Sequence, residues 1–347
     1  MSPGGRDGSP WRSLLVVLGV SVGVTAAIAL LCVANGWTVR SRAWVMLAPI
    51  AMWAPALGRF AARRTVDRGF TSTLSLAHWG ATGADVILWP LAVPLAVYGA
   101  AYAVAWGMGL AHWSPGGGRW TTGPQIAANL VINLAILGVF GTFTALGEEI
   151  GWRGYLQPRL DAAAVRGSVI VVWLCQLAYH APLVAGAGYA DTGSLFISLG
   201  LFAAGDLSLT FIWAREAYRA RSLWPAVLFH SFHNTISQWL FPSFFAAEND
   251  LWLGEGGLLP AAGYIVLGVA LYLSTQRRGQ SWQDLARHAL VSSTIDPLCA
   301  TRIQTRPAHP GDAEAIALAH ACTERRRSRF SLRSPASSST RPTDTKS

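Results

Sequence analysis

The sequence predicts an all-α protein: a polytopic membrane bundle of about eight transmembrane helices followed by a disordered tail. Three observations carry this. Of the 347 residues, 52% are hydrophobic and only 13% charged, roughly half the charged share of a soluble domain. Several apolar runs reach the ~20 residues a helix needs to cross a bilayer. The arginines, finally, gather in alternate connections, as the positive-inside rule requires. The formal charge of +9 is therefore an orientation signal and not a nucleic-acid footprint; Lys346 is the sole lysine. No nucleic-acid partner is expected, and the lipid bilayer is the first partner. Cys32, Cys175, Cys299 and Cys322 are scattered, which argues against a disulfide framework and against a thiolate zinc site.

Residues 1–13 read as a short basic N-terminus, residues 14–274 as the transmembrane domain and residues 275–347 as the tail. Leu14 to Ala34 is the first span. It exceeds the ~7–15 apolar residues of a signal peptide, and Ala29-Leu30-Leu31 before Cys32 lacks the small residues of a lipoprotein cleavage site. Trp44 to Leu57, with Pro49 and Pro55, is a short, kinked second span followed by Arg59, Arg63, Arg64 and Arg68. Val86 to Ala111 is the third, and Pro115-Gly116-Gly117-Gly118 is a turn. Ile126 to Leu146 is the fourth. Gly147 to Gly167, carrying Arg153, Arg159 and Arg166, reads as an amphipathic helix at the interface. Ser168 to Ala187, Ser194 to Ala214, Leu223 to Phe241 and Leu258 to Ser274 complete the set.

Alternation of these spans puts the arginine-rich connections on one side. The other side holds only Arg40, Arg42 and Arg119, and its last connection is acidic, with Glu248, Asp250 and Glu255. The expected topology is a multi-pass protein of the cell membrane with both termini cytoplasmic. Beyond Gln276 the chain turns to Arg, Ser, Thr and Pro, a composition that cannot bury enough apolar area to order itself.

The polar groups inside the apolar spans are the candidates for chemistry, because ionisable residues at membrane depth are costly. Glu148 and Glu149 close the fourth span. Glu149 and Arg153 are four apart and share a helix face, whereas Glu148 projects about 100° away. One carboxylate can thus be held by Arg153 while the other stays free to take a proton. His180 stands in the fifth span, and His230 and Asn234 share a face of the seventh. Together they supply what a peptide hydrolase needs: Glu148 and His180 to polarise a water, His230 and Asn234 to donate to an oxyanion. No Ser or Cys has a clear partner base, Ser231 being the weak exception. Zinc could equally take His and Glu ligands, although the HExxH pattern is missing. His233 is expected to be structural, Asp206 to partner a helix dipole or a polar neighbour, and Asn129 and Asn133 to hydrogen-bond between helices. The tryptophans fit interfacial belts.

At these residues the chain resembles the CPBP family of CAAX proteases and bacteriocin-processing enzymes, also called type II CAAX prenyl endopeptidases or the Abi family. Its EExxxR motif stands as Glu148-Glu149-Ile150-Gly151-Trp152-Arg153 and its HxxxN motif as His230-Ser231-Phe232-His233-Asn234. Its FxxxH motif departs: His180 is present, but Gln176 replaces the Phe. The resemblance covers roughly residues 126–240. It implies an eight-helix intramembrane endopeptidase with Glu148 as water-activating base, His180 as its partner, His230 and Asn234 as oxyanion site, and Glu149 and Arg153 in support. It leaves open a metal-free or a zinc-dependent mechanism; the metal candidates are Glu148, His180 and His230. The implied partner is a peptide or lipidated-protein substrate in the membrane, cut near the cytoplasmic side. The alternatives are a scaffold or bacteriocin-immunity protein that binds a peptide in the same cavity, and, behind it, a proton-relay transporter. One difficulty arises from the rise of 1.5 Å per residue: His180 sits about 18 Å and His230 about 12 Å inside the membrane, while Glu148, at the end of its span, sits at the surface.

Overall fold

Every long apolar run is helical in the computed structural model, which describes residues 9–70, 74, 76, 83–132, 134–135, 138–247, 249–277, 281–286 and 289. The chain divides into Met1–Leu290 and Val291–Ser347, and all described residues lie in the first unit. The expected N-terminus therefore lies outside the described residues for positions 1–8. The expected tail does so for 278–280, 287–288 and 290–347.

Helix α1 (Pro10–Asn35) starts on a proline, whose missing N–H costs nothing in a first turn, and stops at Gly36 with φ 63°. Helix α2 (Trp44–Thr65) runs through Pro49 and Pro55, well past the expected end at Leu57, and carries Arg59, Arg63 and Arg64 with it. Helix α3 (Gly83–Gly107) leads to the short strand β1 (Ala111–Trp113), then α4 (Gly123–Ile132) and α5 (Gly138–Gly151). A π-helical turn (Trp152–Leu156) and α6 (Gln157–Ala162) continue α5 directly. Helices α7 (Ser168–Ala187) and α8 (Leu195–Ala220) come next. Then α9 (Trp224–Thr235), a second π turn (Ile236–Leu240) and α10 (Phe241–Phe244) form another continuous run. Strand β2 (Phe245–Ala247) pairs antiparallel with β1, Trp113 opposite Phe245, and α11 (Leu258–Arg277) closes the bundle.

Among the described residues six helices are long and apolar enough to cross a membrane: Pro10–Asn35, Trp44–Thr65, Ile87–Gly107, Ser168–Ala187, Leu195–Ala220 and Leu258–Arg277. The chain is a multi-pass membrane protein. The expected fourth and seventh spans, which hold two of the three motifs, are not among these six: the fourth includes residues outside the description, and a π turn follows α9 in the seventh. Helix α5 packs between α2 and α9, while α7 lies against α1 and α8.

The expected interfacial helix is corrected by the structure. Residues 151–160 are all buried, because two carboxylates, the buried Asp67 and the half-buried Asp161, satisfy their polar groups. Asp67 Oδ2 accepts from Tyr155 Oη at 2.9 Å, Arg159 Nε at 2.8 Å and Ser13 Oγ at 3.3 Å. Asp161 accepts from Gln157, Ser168 and Tyr218, and from Trp282 Nε1 at 3.2 Å. A buried charge with its partners in place can be held where an unpaired one could not. The Trp282 bond also ties part of the expected tail to the bundle.

This continuation resolves the depth difficulty. With the helix running on to Ala162, Glu148 is about 21 Å from its end, close to the depth of His180.

Candidate active site

Glycine spacing brings α2 against the carboxylate pair. A Cβ on Gly147 would lie 2.7 Å from backbone atoms of Met52 and Trp53, and one on Gly151 would lie 2.4 Å from Pro55. These two glycines, four residues apart, bracket Glu148-Glu149 and permit the close helix approach of a small-xxx-small contact. Among the helices packed around α5, α2 and α9 carry the contacts that fix the pair's surroundings.

The two glutamates part as the helix geometry predicts. Glu149 is fully buried, and its Oε1 accepts Arg153 Nη1 at 3.0 Å and His230 Nδ1 at 2.9 Å. Arg153, also fully buried, spends Nη2 on Gln176 Oε1 at 3.1 Å, and its guanidinium lies 4.9 Å over the Trp213 ring. Gln176 Oε1 accepts Thr210 Oγ1 at 2.8 Å as well. The glutamine that breaks the FxxxH pattern is therefore a polar brace for Arg153. Glu148 is held more loosely, by Trp152 Nε1 and Tyr179 Oη, both at 3.3 Å.

His180 Nδ1 lies 2.9 Å from the Gln176 carbonyl oxygen. A carbonyl only accepts, so in the neutral ring Nδ1 carries the proton and Nε2 presents a lone pair. Three rings fix the imidazole: Tyr179 edge-on at 4.5 Å, Phe202 at 4.7 Å and Tyr189 stacked at 5.5 Å. His230 stacks on Trp213 at 4.4 Å. Its Nδ1 bond goes to Glu149 and not to Glu148.

Glu148, His180, His230 and Asn234 line one cavity of about 60 Å³, room for a few waters. All four are at least nine-tenths buried. His233 and Asp206 line it too. His233 Nδ1 lies 2.9 Å from Tyr264 Oη, which suits the structural role read for it. Asn129 donates within its own helix, to the Gln125 carbonyl at 2.8 Å, rather than across helices; Asn133 lies outside the described residues.

Sequence reasoning missed Glu255. It belongs to the acidic connection expected in solvent, yet it folds back onto the cavity wall. It accepts Tyr189 Oη at 2.5 Å and Gln238 Nε2 at 2.7 Å, with His233 Nε2 at 3.7 Å. Burial alone would push its carboxyl up, but His233, Tyr189 and Gln238 together hold it down at about 2. The opposite charge of Arg40 is taken by Asp250, so composition alone could not have told these two acids apart.

The cavity wall also includes Trp44 at the start of α2, Tyr189 after α7 and Ala261 at the start of α11. All belong to the arginine-poor end of the bundle.

A zinc site would need at least three protein ligands. Among the described residues no three His, Cys, Asp or Glu side chains are placed to hold an ion, and His230 Nδ1 is occupied by Glu149. The donor set does not fit zinc in this arrangement.

Residues 129–236 match the family model described as type II CAAX prenyl endopeptidase, Rce1-like. The matched stretch contains Glu148, Glu149, Arg153, His180, His230 and Asn234, the residues of the three motifs, and over it the chain is similar to that family. No curated protein matches the chain.

Proposed function

We propose, with that family as premise, that the chain is an intramembrane endopeptidase of the CAAX prenyl type. The observation that carries the reading is the convergence of Glu148, His180, His230 and Asn234 on one buried, water-sized cavity. A water there donates one proton to Glu148 and the other, as a hydrogen bond, to His180 Nε2. Its oxygen attacks the scissile carbonyl carbon, and Glu148 keeps the proton. The carbonyl oxygen, now an oxyanion, is met by Asn234 Nδ2 and by His230 Nε2–H. His230 can donate from Nε2 as an imidazolium whose Nδ1–H rests on Glu149. As the C–N bond breaks, Glu148 passes its proton to the leaving amine, and the water's remaining proton passes to His180 Nε2, so the second product leaves as a carboxylate. Glu149, Arg153 and Gln176 are positioning residues: they touch His230 or one another, and none is assigned a proton of the reaction.

The substrate class implied is a peptide segment at membrane depth, prenylated or not. Cleavage of paired lipidated and unlipidated peptides by the purified chain in liposomes tests the reading. Glu148→Ala and His180→Ala should each lower kcat by at least about 100-fold, the scale of general acid–base catalysis, and a strong chelator should leave the wild type active. Cleavage unchanged in both variants would end the hydrolase reading and favour a peptide-binding scaffold.

A further inference from the structure

Helix α8 presents one face to α7, and contacts on both sides of Asp206 define it. One turn before, Phe202 packs on the His180 ring at 4.7 Å. One turn after, Thr210 donates to Gln176 at 2.8 Å. Residues four apart share a face, so Asp206 sits opposite the turn of α7 between Gln176 and His180, on the cavity wall.

Asp206 is 5% exposed, and its Oδ2 has no hydrogen-bond partner among the described residues. A buried carboxylate oxygen without a donor is costly. The nearby Arg153 does not serve it: Nη1 goes to Glu149 and Nη2 to Gln176, and its Nε makes no hydrogen bond to Asp206. The other carboxylates of the cavity are engaged, Glu148 by Trp152 and Tyr179 and Glu255 by Tyr189 and Gln238. Among the described residues the wall contains these three acids and three histidines but no lysine or arginine. A group that enters the cavity can supply the donor that Oδ2 lacks.

We infer that Asp206 is a recognition carboxylate for a cationic side chain, lysine or arginine, next to the scissile bond of the substrate. The inference rests on the cavity being the peptide site proposed above. A peptide placed between Glu148 and His180 brings a flanking side chain towards the turn that Asp206 faces. A basic group there supplies the donor Oδ2 lacks and balances an acidic wall, whereas a glutamate would add a fourth carboxylate. A site built around a buried polar group discriminates against ligands that leave it unpaired.

The test is a panel of otherwise identical peptides carrying lysine, norleucine or glutamate on either side of the scissile bond, assayed with the full chain in liposomes. The lysine peptide should be cleaved with a kcat/KM at least ~10-fold above norleucine, with glutamate lowest, because one buried ionic contact is worth at least a factor of ten. In Asp206→Asn, and in Asp206→Ser as a second neutral variant, the lysine-to-norleucine ratio should fall to within about twofold. Equal cleavage of lysine and norleucine peptides by the wild type overturns the inference, as does a preference that survives both variants. If no peptide is cleaved, the hydrolase reading fails separately, and quenching of tryptophan fluorescence by the same peptides decides on Asp206. Tighter binding of the lysine peptide that either variant abolishes supports the assignment; equal binding of all three overturns it.

Discussion

At the scale of residues, the site works by dividing two adjacent carboxylates between two duties. Glu149 gives its Oε1 to Arg153 and His230, while Glu148 has only two long contacts and faces the cavity. That division was legible from helix geometry, since neighbours 100° apart cannot share one partner. The bond between His230 and Glu149, the brace at Gln176 and the fold-back of Glu255 were not, because each depends on residues brought from elsewhere in the chain. Glu255 makes the residue-scale prediction. Its carboxyl is held at about 2 against an ordinary 4.5, so its anionic form is favoured by the fold. That stability is fully present above about pH 4.5 and is lost as pH falls towards 2. Glu255→Gln should therefore flatten the acid limb of the unfolding midpoint between pH 6 and pH 3, monitored by tryptophan fluorescence, with a loss on the order of 3 kcal/mol at neutral pH. An acid limb identical to that of the wild type would show that the carboxylate contributes nothing there.

At the scale of elements, the decisive feature is how α5 is wedged between α2 and α9. The expected spans were located from their apolar runs, and most agree with helices within a few residues. The ends were misjudged where buried ion pairs let charged sequence continue inward, as with Asp67 and Arg159. Hydropathy registers a charge and not its partner, so Gly147 to Gly167 looked like a surface helix. The glycines bracketing the glutamates bear on packing directly. A methyl group at Gly151 would meet the Pro55 backbone at 2.5 Å, and that backbone cannot move without shifting α2. Gly151→Ala should cost about 1–3 kcal/mol by overpacking, visible as a lowered thermal midpoint in detergent. Gly123→Ala, with nothing within 4 Å, is the matched control and should be near neutral.

For the molecule as a whole, composition was enough to establish a multi-pass membrane protein, and three short motifs were enough to find the family later matched over 129–236. Among the described residues six helices are long and apolar enough to span, and π turns follow the helices that bear the first and third motifs. Sequence cannot foresee such turns, because they answer to neighbours and not to local propensity. Orientation is the matching prediction at this scale. With Cys299 and Cys322 replaced and the buried Cys32 and Cys175 retained, Asp191→Cys should react with an impermeant maleimide from outside intact cells. Arg166→Cys should react only after permeabilisation. The reverse pattern would overturn the orientation with both termini in the cytoplasm.

The π turn at Trp152–Leu156 bears on how the helix is keyed to its neighbours. A π turn holds one residue more than the α turn it replaces, so it offsets the angular phase of the downstream residues by about 100°. Upstream, that phase aims Glu148 into the cavity and Glu149 at His230; downstream, it aims Arg159 at Asp67 and Asp161 at Tyr218. Deleting a single residue within the turn would leave one set aligned only by misaligning the other. The helix thus behaves as two keyed segments on one shaft, and the extra residue sets the angle between the keys.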